Sequence, residues 1–213
     1  MRPVVLRRFF LCALIPMLFL SSAHALEYDF EDGDQGWEQI NGTVVVNKGE
    51  LVVSGSDGVG VMPDSDWNDE WTNYAVQCSM NMEAGPDNMG IVLRYQGPDT
   101  YYIFAIMNGR QQMEIWSRVA GAYTDELDIG FANEIGQDYI VRVVAEGSDF
   151  KIHIDDELIA EWNDDKLETG KVGVRTYSST SHFDDIIITG PGIPGTAVEP
   201  ASKLATTWAK LKG

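Results

Sequence analysis

The sequence predicts an all-β fold: two antiparallel sheets packed as a sandwich, followed by a short C-terminal tail. Runs rich in Val, Ile, Tyr and Phe recur roughly every ten residues, bounded by Gly, Asn and Asp, the spacing of a sandwich. Turn sequences such as Asn108-Gly109, Gly147-Ser148, Asp155-Asp156 and Asn47-Lys48-Gly49 fall between the runs, as hairpins require. Helical periodicity is nearly absent between residues 26 and 190.

Residues 1–25 stand outside that fold. Arg2, Arg7 and Arg8 precede the apolar run Phe9–Leu20, and Ser21-Ser22-Ala23-His24-Ala25 supplies small residues at the −3 and −1 positions of a cleavage site. That order is a secretory signal peptide. The run is shorter than the ~20 apolar residues that span a bilayer, so cleavage before Leu26 and export to the periplasm or the medium are expected. No later segment is apolar enough to cross a membrane as a helix.

The predicted strands are Thr43–Val46, Glu50–Ser54, Tyr74–Met82, Gly90–Tyr95, Tyr101–Met107, Gln112–Arg118, Tyr139–Ala145, Phe150–Ile154, Leu158–Trp162, Lys171–Tyr177 and Phe183–Thr189. Residues 91–107 are apolar on both alternating faces, which fits strands buried on both sides or lining an outer groove. Pro63 to Trp71 reads as a loop with one helical turn. Gly190-Pro191-Gly192-Ile193-Pro194-Gly195 reads as a stiff linker closing a domain of residues 26–190. In the tail, residues 191–213, Leu204, Trp208 and Leu211 form an apolar stripe, too short to be helical alone. Such a tail suits docking, on its own domain or on a protein partner.

Charge narrows the partners. The leader holds three of the 15 cationic residues and none of the acids, which leaves 12 against 33 acidic residues in the mature chain. Such a surface repels nucleic acid and anionic lipid. Cys78 is the one cysteine left after cleavage, so no internal disulfide can form. It alternates with Tyr74, Val76, Met80 and Met82, as a core thiol would.

Phe30-Glu31-Asp32-Gly33-Asp34-Gln35-Gly36-Trp37, Gly90-Ile91-Val92-Leu93-Arg94-Tyr95, Tyr101-Tyr102-Ile103-Phe104, and Gly170 to Thr176 followed by Phe183-Asp184-Asp185-Ile186 together resemble a known pattern. They look like the concanavalin A-like, laminin G-like jelly-roll domains of lectins and glucanases, and like the related bacterial family named for 3-keto-disaccharide hydrolysis. The resemblance covers residues 26–190 and implies a two-sheet antiparallel jelly roll. It implies function only loosely, because one sandwich hosts many activities. Jelly-roll carbohydrate-binding modules of this kind hold a structural calcium, and the positions carried over are Glu31 and Asp184, with Asp32 and Asp34 as helpers. Calcium takes six to eight oxygens; turn-forming, solvated acids are the plainer alternative. Asp64-x-Asp66-x-Asn68 opens like an EF-hand loop, but Asp69 and Ala75 stand where glycine and glutamate are required.

Glucanases of this sandwich carry Glu-x-Asp-x-x-Glu on one strand. Glu126-Leu127-Asp128 begins that motif, but Phe131 occupies the acid/base position and Ala132 the bulged one. Retaining hydrolysis of that type is therefore not expected. His153 and His182 have no ligand-spaced partner, and no nucleophile elbow or phosphate loop occurs.

A non-catalytic, lectin-like glycan-binding module is the leading expectation. A glycoside or 3-keto-disaccharide hydrolase and a laminin G-type adhesion module are the alternatives. Sugars stack on aromatic faces and are oriented by a few polar groups. Trp37 and Trp162 sit in strand-like patterns and read as core. The candidate ligand-binding residues are Trp67, Trp71, Tyr101 and Tyr123 from loops and turns. Arg94 joins them as a cation in an apolar strand, which either pairs with an acid such as Glu114 or points into a groove.

Overall fold

A computed structural model describes residues 24–197. The signal peptide expected over 1–25 lies outside them except for its last two residues, and most of the C-terminal tail lies outside them too. The strands are β1 (His24–Tyr28), β2 (Glu38–Asn47), β3 (Glu50–Val61), β4 (Asn73–Ala84), β5 (Asn88–Gly97), β6 (Thr100–Met107), β7 (Gln112–Val119), β8 (Ala122–Gly130), β9 (Asp138–Glu146), β10 (Asp149–Ile154), β11 (Glu157–Asn163), β12 (Lys171–Tyr177), β13 (Ser179–Thr189) and β14 (Thr196–Ala197). A single 3-10 turn, Asp64–Asp66, interrupts the loop before β4. The all-β expectation holds.

The hydrogen-bonded order is β11-β10-β9-β4-β13-β3-β12-β5-β6-β7-β8, with β1 on β13, β14 on β1 and β2 on β3. One layer of the sandwich runs from β11 to β13 and the other from β12 to β8. The long β3 joins them. Leu51 to Gly55 pairs with β13, and Gly58 to Val61 pairs with β12. β2 follows β3 around this corner, and Gly42 is what lets it. A Cβ there would lie 2.5 Å from the Ser54 carbonyl oxygen and 2.7 Å from Gly58 Cα, so any side chain would push the two strands apart.

The interior is filled by inward-facing residues of both layers. Phe104, Phe150, Trp162 and Tyr102 form one aromatic group, with Phe150 and Trp162 ring centres 5.1 Å apart. Trp37 is buried against Tyr28 and Phe30, and Trp162 packs half-buried against the core. Cys78 is also buried, and burial pushes its thiol well above the ordinary range. A second, smaller apolar cluster lies on the outer face of the β3-to-β7 layer: Val59, Val61, Val92, Tyr95, Tyr101, Ile103 and Ala105. This is why residues 91–107 are apolar on both sides.

Several local expectations change. Lys48-Gly49, Gly147-Ser148 and Asp155-Asp156 are two-residue turns closing Asn47–Glu50, Glu146–Asp149 and Ile154–Glu157. Asn108-Gly109 is not. Met107 pairs with Gln112, so the turn has four residues, and Asn108 donates its side-chain amide to Asn133 at 3.0 Å. A tertiary contact overrides the local preference. β8 has no counterpart among the predicted strands, because its residues are mostly exposed and its apolar alternation is confined to Leu127 and Ile129. The segment read as a linker folds back: Ile193 is buried, and β14 pairs with β1.

Arg94 is the sharpest correction. It does not pair with Glu114. The β5–β6 register shifts after Leu93, and Arg94 itself takes a φ of 54°, which turns its side chain into the interior. There the guanidinium donates to the carbonyls of Leu167 and Gly147, and to that of Thr72 at 3.4 Å. It also lies 4.6 Å from the Phe150 ring centre. It is an internal clamp for three loops.

Candidate functional site

The outer face of the β3-to-β8 layer carries a candidate site, and strand pairing explains its shape. Val59, Arg175, Gly90, Ala105, Glu114 and Asp128 stand in one row across β3, β12, β5, β6, β7 and β8. The next row is Val61, Gly173, Val92, Ile103, Trp116 and Asp125. Large residues stand at both sides of the first row, and Gly90 and Ala105 lie between them. The face is therefore hollow in the middle.

That hollow is a cavity of about 280 Å³ lined by Arg175 and Tyr177 on one wall and by Trp116 and Tyr123 on the other, with Glu114 between them. Gly90 cannot be enlarged, since its Cβ would lie 2.5 Å from the Phe104 carbonyl oxygen. Glu114 has no exposed surface. Its two oxygens accept from Trp116 Nε1 at 2.9 Å and Arg110 at 3.3 Å. Burial pushes its carboxyl up, while the indole bond and Arg110 oppose the shift. Glu114 is thus a bracket for the indole.

Arg175 is held by Asp57 at 2.8 and 2.9 Å and by Asn88 at 3.2 Å, with its guanidinium 5.2 Å from the Tyr177 ring centre. Arg118 pairs with Asp99 at 2.8 Å and lies 4.8 Å from the Tyr123 ring centre. The hydroxyls of Tyr101 and Tyr123 are 3.4 Å apart. Burial, then the Tyr101 contact, pushes the Tyr123 phenol up to about 12. On the rim, the carboxyl of Asp125 is raised by burial and then by Asp128 beside it. Tyr123 and Tyr177 are 43% and 40% exposed, enough to offer an aromatic surface to a ligand.

The sequence-predicted ligand residues are divided among three places. Tyr101 and Tyr123 come together in the groove, Tyr101 as buried floor and Tyr123 as exposed wall. Trp67 and Trp71 pack edge to face at 5.2 Å near the end of the sandwich. Trp71 is buried, and Trp67 donates to Asp69 at 2.9 Å. Arg94 is internal. Glu114, Trp116, Arg175 and Tyr177 carry no sequence motif that marks a site. Their signal was weak: Glu114 and Trp116 alternate with Met113 and Ile115, which marks an outward face without saying that it is concave.

The acids carried over for calcium fall on two elements, the turn after β1 and strand β13. Glu31, Asp32 and Asp34 are exposed turn residues, and Asp34 accepts the backbone N–H of Gly36 at 3.1 Å. Asp184 lies on β13 and accepts the N–H of Asp185. Among the described residues no three Asp, Glu, His or Cys side chains converge as metal ligands. Of the EF-hand-like acids, Asp64 pairs with Lys171 and Asp66 accepts from the Tyr28 hydroxyl.

The sequence profile of the 3-keto-alpha-glucoside-1,2-lyase-like domain matches residues 29–189. The chain belongs to that family. No curated protein matches it. Among solved structures it is similar to the carbohydrate-binding module CBM66 from Bacillus subtilis, with a TM-score of 0.67 and 17% identity over 73% of this chain and 96% of that one. It is also similar to domain 4 of AbnA, an extracellular arabinanase from Geobacillus stearothermophilus solved with arabinotriose (TM-score 0.60, 12% identity, 85% and 97% covered). The galectin LEC-6 from Caenorhabditis elegans is more distant, with a TM-score of 0.51 and 11% identity over 68% and 99%. At these identities the likeness shows the fold, a lectin-like β-sandwich.

Proposed function

We propose that this family member is an exported glycan-binding module that seats a sugar in the groove above Gly90 and Ala105. The observation that carries the reading is the cavity between the Arg175–Tyr177 and Trp116–Tyr123 walls. Aromatic faces receive sugar C–H groups, while Asn88, Asp87 and Arg175 orient hydroxyls. The structurally similar CBM66 is itself a carbohydrate-binding module, which supports the reading. The exported location rests on the leader-like residues 1–25. A glycan array followed by calorimetry tests it. Trp116→Ala and Tyr123→Ala each weaken binding on the order of tenfold, whereas Trp67→Ala leaves it unchanged. Binding that tracks Trp67 instead would move the site to the end of the sandwich.

A second reading is favoured by the family and by the Asp125–Asp128 pair on the groove rim. In a 1,2-elimination on a 3-keto-α-glucoside, a carboxylate takes the C2 proton, the C1–O bond breaks with formation of the C1–C2 double bond, and the proton passes to the departing oxygen. A raised carboxyl beside a second one suits such a shuttle. Ultraviolet detection of the unsaturated ketone, lost in Asp125→Asn with binding retained, tests this reading.

A further inference from the structure

We propose that the groove has a second compartment beyond the Arg175–Asp57 pair, so that its ligand is a neutral glycan of at least two rings lying across that pair. This rests on the glycan-binding reading above and adds the length and charge of the ligand. The second cavity, about 210 Å³, is lined by Ile40, Asn41, Val59, Tyr101 and Arg118, with Asp57 at its edge. It shares a wall with the first. Asp57 lines one compartment and holds Arg175, which lines the other. Tyr101 lines one and meets Tyr123 of the other through their hydroxyls. Each compartment alone falls below the ~300–1,000 Å³ of an ordinary ligand site, and the two together fall within it.

Charge sets the chemistry. Every cation in the two compartments already has an acid: Arg175 has Asp57, Arg118 has Asp99 and Arg110 has Glu114. A ligand carboxylate or phosphate would meet no free positive charge and several acids, so an uncharged glycan suits the groove best. Val59, Ile40 and the Tyr101 ring give the second compartment its apolar surface, and Asn41 its polar rim.

Calorimetry on the mature chain tests this with neutral homo-oligosaccharides of one to four rings, built from gluco-, galacto- and arabinofuranosyl units. Affinity should rise about tenfold or more from one ring to two and then level off. Asn41→Trp, an exposed position that fills the second compartment, should abolish the gain and leave single-ring binding intact. Asp57→Asn, which frees the Arg175 charge, should improve binding of a uronic-acid disaccharide relative to its neutral counterpart. Equal affinity for one ring and two, or a gain that survives Asn41→Trp, overturns the second compartment and leaves the groove reading standing. Tighter binding of the uronic-acid disaccharide by the unaltered chain overturns the charge argument. No binding of any sugar overturns both readings.

Discussion

The carboxylate of Glu114 accepts the indole N–H of Trp116 at 2.9 Å, so a side chain with no exposed surface fixes the aromatic wall of the groove. The two residues are neighbours on one face of β7, and the bond closes over the strand itself. Losing it leaves a partly buried N–H without a partner, which costs about 1–3 kcal/mol. Glu114→Ala should lower stability by that order and weaken glycan binding. Glu114→Gln keeps a carbonyl acceptor and should do less of both. Urea unfolding and calorimetry on the two variants separate bracket from bulk.

The hollow exists because of Gly90. A valine there must displace the Phe104 carbonyl or the Ala105 backbone, since even its Cβ lies within 2.8 Å of both. Gly90→Val should destabilise the domain by about 1–3 kcal/mol or more. Gly190→Ala, at the end of β13, provides a comparison away from the groove: its Cβ would lie 2.6 Å from the Asn73 carbonyl oxygen. Thermal unfolding with and without sugar distinguishes the two.

Arg94 should behave as a structural cation. Its two terminal nitrogens serve three carbonyls from separate loops, a fork that a single ammonium cannot reproduce. Arg94→Lys should therefore lose about 1.5–3 kcal/mol per charge-assisted bond broken. Glycan affinity measured on the folded fraction should stay unchanged.

Asp184 gives a pH test. Burial raises its carboxyl to about 6, with Asp185, Glu50 and Asp29 adding to the shift and the Asp185 N–H opposing it. The folded state then keeps a proton that the unfolded chain releases at its ordinary value of 3.8. Stability must fall as pH rises between these two values, and the cost persists at neutral pH. Asp184→Asn should melt higher than the unaltered chain near neutral pH, with the gap closing below about pH 4. Calcium held by Asp184 would reverse the sign, so melting both proteins with calcium and with chelator tests the sequence-derived calcium expectation directly.

How much of this was legible varies by element. The turns at Lys48-Gly49, Gly147-Ser148 and Asp155-Asp156 could be read locally, because a two-residue turn depends on its own φ and ψ. The Asn108 turn could not, because its geometry answers to Asn133, far along the chain. β8 was hidden for a different reason. Its apolar alternation is confined to Leu127 and Ile129, and most of the rest of the strand is exposed at the end of the sheet.

The β class, the core positions of Cys78 and Trp37, and the family are written in the local order of the chain. These follow from alternation and short motifs, which are properties of neighbouring residues. Membership of the groove is set by the folded arrangement of the strands. Val59, Gly90, Glu114 and Arg175 are far apart along the chain and meet because strand register places them in one row. The folded arrangement also decides that Arg94 faces inward, because a single residue at positive φ reverses the side that alternation assigns.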